Sequence, residues 1–80
     1  MTWHFADGDQ GLIRVMTSAP MGSKEFYDAE AERFTARGDW RPSASGYNLA
    51  SEAINSGSYM PVDEAEVMAV MAAMHRAIGD

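Results

Sequence analysis

The order of apolar and polar positions predicts a β-hairpin at the start of the chain. The first residues alternate in polarity, which places Trp3 and Phe5 on one face of a strand. Turn-forming residues follow at 7–11, and strand-forming side chains continue to residue 17. We therefore predict a hairpin over about residues 2–17. Because a two-stranded hairpin is marginal alone, it must pack on a helix or pair with another strand, and an unpaired edge could accept a partner's strand.

Helical spacing follows the hairpin in two segments. Ser23 is a suitable N-cap for a helix over about residues 24–37, and Gly38 can end that helix. A second, shorter helix is predicted over about residues 47–55, where apolar side chains recur at helical intervals. The glycine-, serine- and proline-containing segment between these helices is expected to be a loop.

The last segment has the clearest helical pattern. Asp63 can cap a helix over about residues 64–78, and Glu66 stands three positions after it, as in a capping box. One side of this helix is an apolar stripe, and the opposite side is rich in alanine. The stripe consists of Val67, Val70, Met71, Met74 and Ile78.

These elements predict an α+β fold. An N-terminal β-hairpin would pack on two or three α-helices in a small, single, two-layer domain that spans residues 1–80. A chain of 80 residues buries a small core, so oligomerisation or a larger partner would add stability.

Composition narrows the classes of function. The formal net charge is −6, which argues against direct nucleic-acid binding and favours a protein partner with a basic surface. Acidity that serves only solubility is the alternative. The chain has no cysteine, no leader pattern and no 18-residue apolar run, so we expect a cytoplasmic protein without a membrane span.

The sequence predicts no catalytic, metal or cofactor site. His4 and His75 are the only histidines, and neither has a further ligand at zinc spacing. The chain has neither a nucleophile elbow nor a phosphate-binding glycine loop. We therefore expect a protein that is not an enzyme.

One candidate binding surface is acidic. On the predicted helix over residues 24–37, Glu25, Asp28 and Glu32 share one face. These carboxylates would form a row suited to lysine and arginine side chains of a partner. The alternative is a solvated outer face.

A second candidate surface combines arginine with tryptophan. Arg37 and Arg41 flank Trp40, and Arg33 lies nearby in the sequence. Arginine and tryptophan are enriched in interface hot spots. Internal pairing of these arginines with the acidic helices is the favoured alternative, because the chain has few cations.

A third candidate surface is the alanine-rich side of the last helix. Met68 and Ala72 lie there, where a second helix could approach closely and make a homodimer. Alanine that serves only helix propensity is the simpler interpretation.

We interpret the chain as a small acidic protein-binding module that modulates or inhibits a larger protein. In size and charge it resembles the small acidic inhibitors made by phages and mobile elements, anti-CRISPR proteins among them, although it shares no motif with them. That resemblance implies a nucleic-acid-handling machine as the target. The alternative is a homo-oligomeric structural or accessory subunit assembled through the last helix.

Overall fold

The predicted hairpin forms the centre of a five-stranded antiparallel sheet. The computed structural model describes residues 2–35, 37–43 and 48–79, apart from the side chains of 77–79. The strands are ordered β4-β3-β2-β1-β5 across the sheet. The elements are β1 (Trp3–Asp7), β2 (Gly11–Val15), α1 (Lys24–Asp28), β3 (Ala31–Phe34), β4 (Trp40–Pro42), α2 (Leu49–Asn55), β5 (Met60–Val62) and α3 (Glu64–Gly79).

One face of the sheet packs against α1 and α2. Phe5 lies opposite Ile13 in the β1–β2 ladder, and Trp3 lies opposite Val15. These side chains surround Phe26 of α1, whose ring makes edge-to-face contacts with Trp3 and Phe5 at centroid distances of 6.4 and 6.0 Å. We call this cluster the first core; α2 completes it with Leu49, Ala50 and Ala53.

The other face packs against α3. Ala6 and Leu12 are paired across the hairpin and point away from the first core, because side chains alternate along a strand. Phe34 of β3 joins them, and Val67 and Val70 of α3 cover the group. This second core makes the sheet buried on both faces along β1 and β2.

The α+β class is therefore confirmed. The sheet contains three strands beyond the predicted hairpin, and helices lie on both of its faces. The indole N–H of a tryptophan in the interior needs a hydrogen-bond acceptor. The N–H of the half-buried Trp3 donates to the carbonyl oxygen of Ala19 at 2.9 Å. That bond fixes the connector after β2 against the first core.

The helix predicted over residues 24–37 was wrong beyond its first turn. Ser23 does cap α1, because its hydroxyl accepts from the backbone N–H of Phe26. The helix then ends at Asp28, and residues 31–34 form β3, which pairs with β2. The outer edge of β2 needs a partner for its backbone groups, and that requirement overrides the helical spacing of the apolar residues.

The predictions for the loops also need correction. Gly38 does not end a helix but lies in the turn between β3 and β4, with a φ of 91°. The segment expected to be a loop contains β4, and the connector before the last helix contains β5. Strands of three residues give too short an alternation to be read from sequence.

Both later helices are present. Asn48 caps α2 by accepting from the backbone N–H of Ser51 at 3.0 Å; the predicted start at Tyr47 lies outside the described residues. Asp63 caps α3 through its Oδ1, which accepts from the backbone N–H of Glu66 at 2.9 Å. In the predicted stripe Val67 and Val70 are buried and Met71 and Met74 half-buried, while the Ile78 side chain is not described.

The first residue of β2 is a glycine for a steric reason. A Cβ on Gly11 would lie 2.6 Å from the Tyr59 hydroxyl oxygen and 3.3 Å from the ring carbon that carries it. Tyr59 is half-buried and precedes β5 directly, so the ring has little freedom to retreat.

We therefore expect Gly11→Ala to lower the free energy of unfolding by about 1 kcal/mol, the low end for overpacking, because the clash is with the tip of one side chain. Tyr59→Phe removes the nearest atom, so the double variant should recover most of that loss relative to Tyr59→Phe alone. Urea unfolding followed by circular dichroism would measure this cycle. Equal losses with and without the Tyr59 hydroxyl would contradict the steric explanation.

Candidate functional site

A cavity of about 710 Å³ lies where α1 ends and β3 begins. Three carboxylates contribute to its lining, and buried or half-buried apolar side chains form much of the rest. The carboxylates belong to Asp28, Glu30 and Glu32, and the apolar part includes Met16, Ala31 and Leu49. We call this cavity the acidic groove.

The groove forms where the short helix α1 ends and the backbone becomes extended. Ala29, the C-cap of α1, is already extended, with φ −74° and ψ 157°. The backbone N–H of Met16 then donates to the carbonyl oxygen of Glu30 at 2.9 Å, which ties the segment to the end of β2. On the other side, the Asn48 side chain donates to the carbonyl oxygen of Tyr27 at 2.9 Å. The walls are thus held by a backbone–backbone bond on one side and by a side-chain–backbone bond on the other.

A second cluster of polar groups lies on the α3 face of the sheet. His4, Arg14 and Glu32 occupy one row across β1, β2 and β3, since each is the ladder partner of the next. The Nε–H of Arg14 donates to Oε1 of Glu32 at 2.8 Å, and Nη2 of Arg14 pairs with the same oxygen. The Arg14 guanidinium lies 4.4 Å from the centroid of the Trp40 ring, a cation–π distance. We call this set the arginine cluster.

His4 lies at the β1 end of the arginine cluster, and its imidazole can titrate. Its ring lies 6.2 Å from the Trp40 ring, centroid to centroid. Partial burial lowers the pKa of His4 below its ordinary value of 6.5, and the positive charge of Arg14 lowers it further, while Glu64 acts in the opposite direction. The folded protein therefore favours the neutral imidazole.

Glu32 belongs to both the acidic groove and the arginine cluster. The residue is part of the lining of the acidic groove, while its Oε1 accepts from Arg14. Because Nε and Nη2 of Arg14 both bond to this one oxygen, the guanidinium holds the Glu32 carboxylate on the α3 face of the sheet.

The predicted acidic row on one helix face was wrong. Glu25 and Asp28 lie on α1, whereas Glu32 lies on β3 and faces Arg14. The structure still brings Asp28 and Glu32 together, because both line the acidic groove. Glu25 is exposed in the first turn of α1 and is not part of that lining.

The arginine–tryptophan segment is divided among different partners. Arg33 pairs with Glu52 of α2, and Nε of Arg41 lies 2.8 Å from Oδ2 of Asp39. Arg37 is exposed in the turn between β3 and β4. Internal pairing with a helix, the favoured alternative, is therefore found for Arg33, whereas Arg41 pairs with Asp39 in the turn before β4. Trp40 is half-buried on Arg14 and against Phe34 rather than presented to solvent.

Met68 and Ala72 lie on neither of these sites. Both are exposed on α3, on the side turned away from the second core. The structure thus separates the predicted binding residues into the acidic groove, the arginine-containing strands and the outer side of α3.

Sequence reasoning missed Glu30 and Arg14 as members of a site. Arg14 and Glu32 become neighbours only through the pairing of β2 with β3. The available signal was local: residues 31–34 alternate between the two faces, with Glu32 and Phe34 on one and Ala31 and Arg33 on the other.

Among residues 2–35, 37–43 and 48–79, no group of three or more histidine, cysteine, aspartate or glutamate side chains could hold a metal ion. None of the helices in that part of the chain is long and apolar enough to cross a membrane. Comparison with known proteins found no matching family, no similar curated protein and no similar solved structure. Function is therefore inferred from the site itself.

The depressed pKa of His4 makes stability depend on pH. Below about pH 6.5 the unfolded chain takes up a proton on this residue more readily than the folded protein does, so the free energy of unfolding should fall as the pH drops through 6.5 towards the lower folded pKa. Above that value the contribution should be level. Chemical denaturation between about pH 5 and pH 8 would measure the slope.

Two variants assign the slope. His4→Gln should flatten the part of the curve that His4 contributes. His75→Gln is the matched control, because His75 is exposed on α3, and it should keep the slope. A slope that disappears in the His75 variant and persists in the His4 variant would contradict the assignment.

Proposed function

We propose that this protein is a small acidic binding module that holds a basic segment of a larger protein in the acidic groove. The observation that supports this most is the composition of the groove, which combines three carboxylates with an apolar lining. Lysine and arginine have the same two parts, an apolar stem and a charged head. A basic side chain can therefore bury its stem against Leu49 and Ala31 while its head meets Asp28 or Glu30.

The distribution of charge supports the same proposal. In the part of the chain that the structure describes, Arg14, Arg33 and Arg41 are engaged with carboxylates of the protein itself. The chain has 12 acidic and 6 basic residues, so acidic side chains remain in excess at the surface. An acidic field of this kind accelerates the encounter with a basic partner and weakens as salt is added.

The edges of the sheet make strand addition a poor alternative. The hairpin edges are both occupied, since β1 pairs with β5 and β2 pairs with β3. The new edge strands are three residues long, and each contains a proline, Pro42 in β4 and Pro61 in β5. Short strands and prolines discourage pairing with another chain. We therefore place recognition in the side chains of the groove.

We infer a non-catalytic, regulatory role from this mode of binding. A module that covers a basic segment would modulate or inhibit the partner that needs that segment. Proteins that bind nucleic acid carry basic surfaces for the phosphates, and such a surface is a target for this chemistry. A nucleic-acid-handling machine is accordingly the partner class that we propose, with the protein acting in the cytoplasm and without direct contact to nucleic acid.

The proposal predicts that a basic peptide binds in the groove and that its affinity depends on Asp28 and Glu30. Neutralising both in Asp28→Asn/Glu30→Gln should weaken binding of an arginine- and lysine-containing peptide about tenfold, as expected for two charge-assisted contacts. Amide chemical shifts measured by NMR during a peptide titration would locate the site around residues 28–32 and 48–49.

Asp7→Asn/Asp9→Asn is the matched control, because it removes the same charge at the hairpin turn, at the opposite end of β2 from the groove. It should change the affinity only slightly. If both double variants weakened binding equally, attraction would come from net charge alone and the groove proposal would be wrong. In a separate experiment, the wild type and the groove variant can be compared for the proteins that each captures from the natural host.

A further inference from the structure

The outward side of α3 combines exposed apolar and small residues with a charge of opposite sign at each end. Its central positions follow the spacing i, i+3, i+4, i+7 and i+11, and all of them are exposed. We call this set the outer face of α3; it consists of Ala65, Met68, Ala69, Ala72 and Arg76. Val67 and Val70 anchor the opposite side of the helix in the second core. The face is therefore rigidly presented rather than free to turn inward.

Met68 gives this surface an apolar contact that the fold does not use. Its side chain is 68% exposed, the highest value among the large exposed apolar residues of the described chain. The alanines beside it allow close approach of a second helix, since interaxial distance depends on the size of the side chains at the contact.

The charges at the two ends specify the direction of that second helix. Glu64 and Glu66 lie in the first turn of α3, whereas His75 and Arg76 lie near its other end. A parallel copy would place like charges together. An antiparallel copy would place Arg76 of each chain beside Glu64 and Glu66 of the other. The dipoles of the two helices would then point in opposite directions and attract each other.

A two-fold axis gives this arrangement a defined register. If Ala69 of one copy faces Ala72 of the other, then Ala65 of each copy faces Arg76 of its mate, because these pairs share one midpoint in the sequence. The long Arg76 side chain can then extend past the alanine to the acidic residues on either side of it. The same patch serves both copies, as an isologous contact requires.

We propose that the occupant of the outer face of α3 is a second copy of this chain, packed antiparallel through α3. The contact would extend along residues 65–76 of α3, about 18 Å at about 1.5 Å per residue. A contact between one helix of each copy buries less surface than the standard interface of about 1,600 Å². The dimer is therefore weak and dependent on concentration, and its charged contacts make it sensitive to salt. The acidic groove is lined by residues outside α3, so dimerisation leaves it open.

Sedimentation equilibrium tests the surface. The wild type should rise from the monomer mass towards the dimer mass as its concentration approaches about 1 mM at low salt. Ala72→Glu should weaken association about tenfold, because it puts a charge at the two-fold axis. Ser58→Glu adds the same charge at an exposed position before β5 and should leave association unchanged. Circular dichroism would verify that both variants are folded.

Two further variants test the direction. Arg76→Glu should weaken association, and Glu66→Arg/Arg76→Glu should restore it, because the exchanged charges again face each other across the axis. Since the chain has no cysteine, a mixture of Ala69→Cys and Ala72→Cys chains should oxidise preferentially to the mixed disulfide dimer.

Three results would overturn the inference. A wild type that stays monomeric at every concentration would exclude self-association. Association that Ala72→Glu does not weaken would place the contact elsewhere. Disulfide dimers formed mainly between two copies of the same variant, for Ala69→Cys as well as for Ala72→Cys, would indicate a parallel arrangement. None of these results depends on peptide binding in the acidic groove, so the two proposals can fail separately.

Discussion

Burial of β2 on both faces is the constraint on which the rest of the structure depends. Ile13 and Val15 belong to the first core, and Leu12 belongs to the second. Each of these side chains is fully buried, and burying one contributes about 1.5–3 kcal/mol. A hairpin alone could cover neither face, so α1 and α2 must pack on one side and α3 on the other. In a chain of 80 residues, two small cores share one strand, whose side chains alternate between them.

The same strand determines where chemistry can occur. Where β2 leaves the cover of α3, Arg14 takes the position that an apolar residue would otherwise occupy, and Trp40 and Glu32 close over it. A half-buried guanidinium is tolerated because its charge has a carboxylate partner and its face has an aromatic ring. Glu32 is thus held on the boundary between the interior and the acidic groove. The groove is therefore a consequence of how the sheet ends rather than a separate structure.

The elements that could be predicted are those whose signals are local. The hairpin turn, the Ser23 cap and the Asp63 cap each depend on residues within a few positions, and all three are present. The segment after α1 could not be predicted in this way. Phe26, Tyr27 and Phe34 fit helical spacing, yet Phe26 lies in the first core and Phe34 in the second. Only the unpaired edge of β2, which exists after the hairpin has formed, turns residues 31–34 into a strand.

For the candidate site, too, contacts between elements could not be predicted from local sequence signals. Asp28 and Glu32 both line the acidic groove, but they lie on different elements, because α1 ends at Asp28 and Glu32 belongs to β3. Arg33 and Arg41 have carboxylate partners, while Trp40 covers Arg14 and Arg37 is exposed. Among the acidic residues of the groove, Glu32 pairs with Arg14, whereas Asp28 and Glu30 are exposed. We therefore propose that the net charge of −6 serves more than solubility, because part of it is concentrated in a cavity with an apolar lining that can hold the stem of a basic side chain.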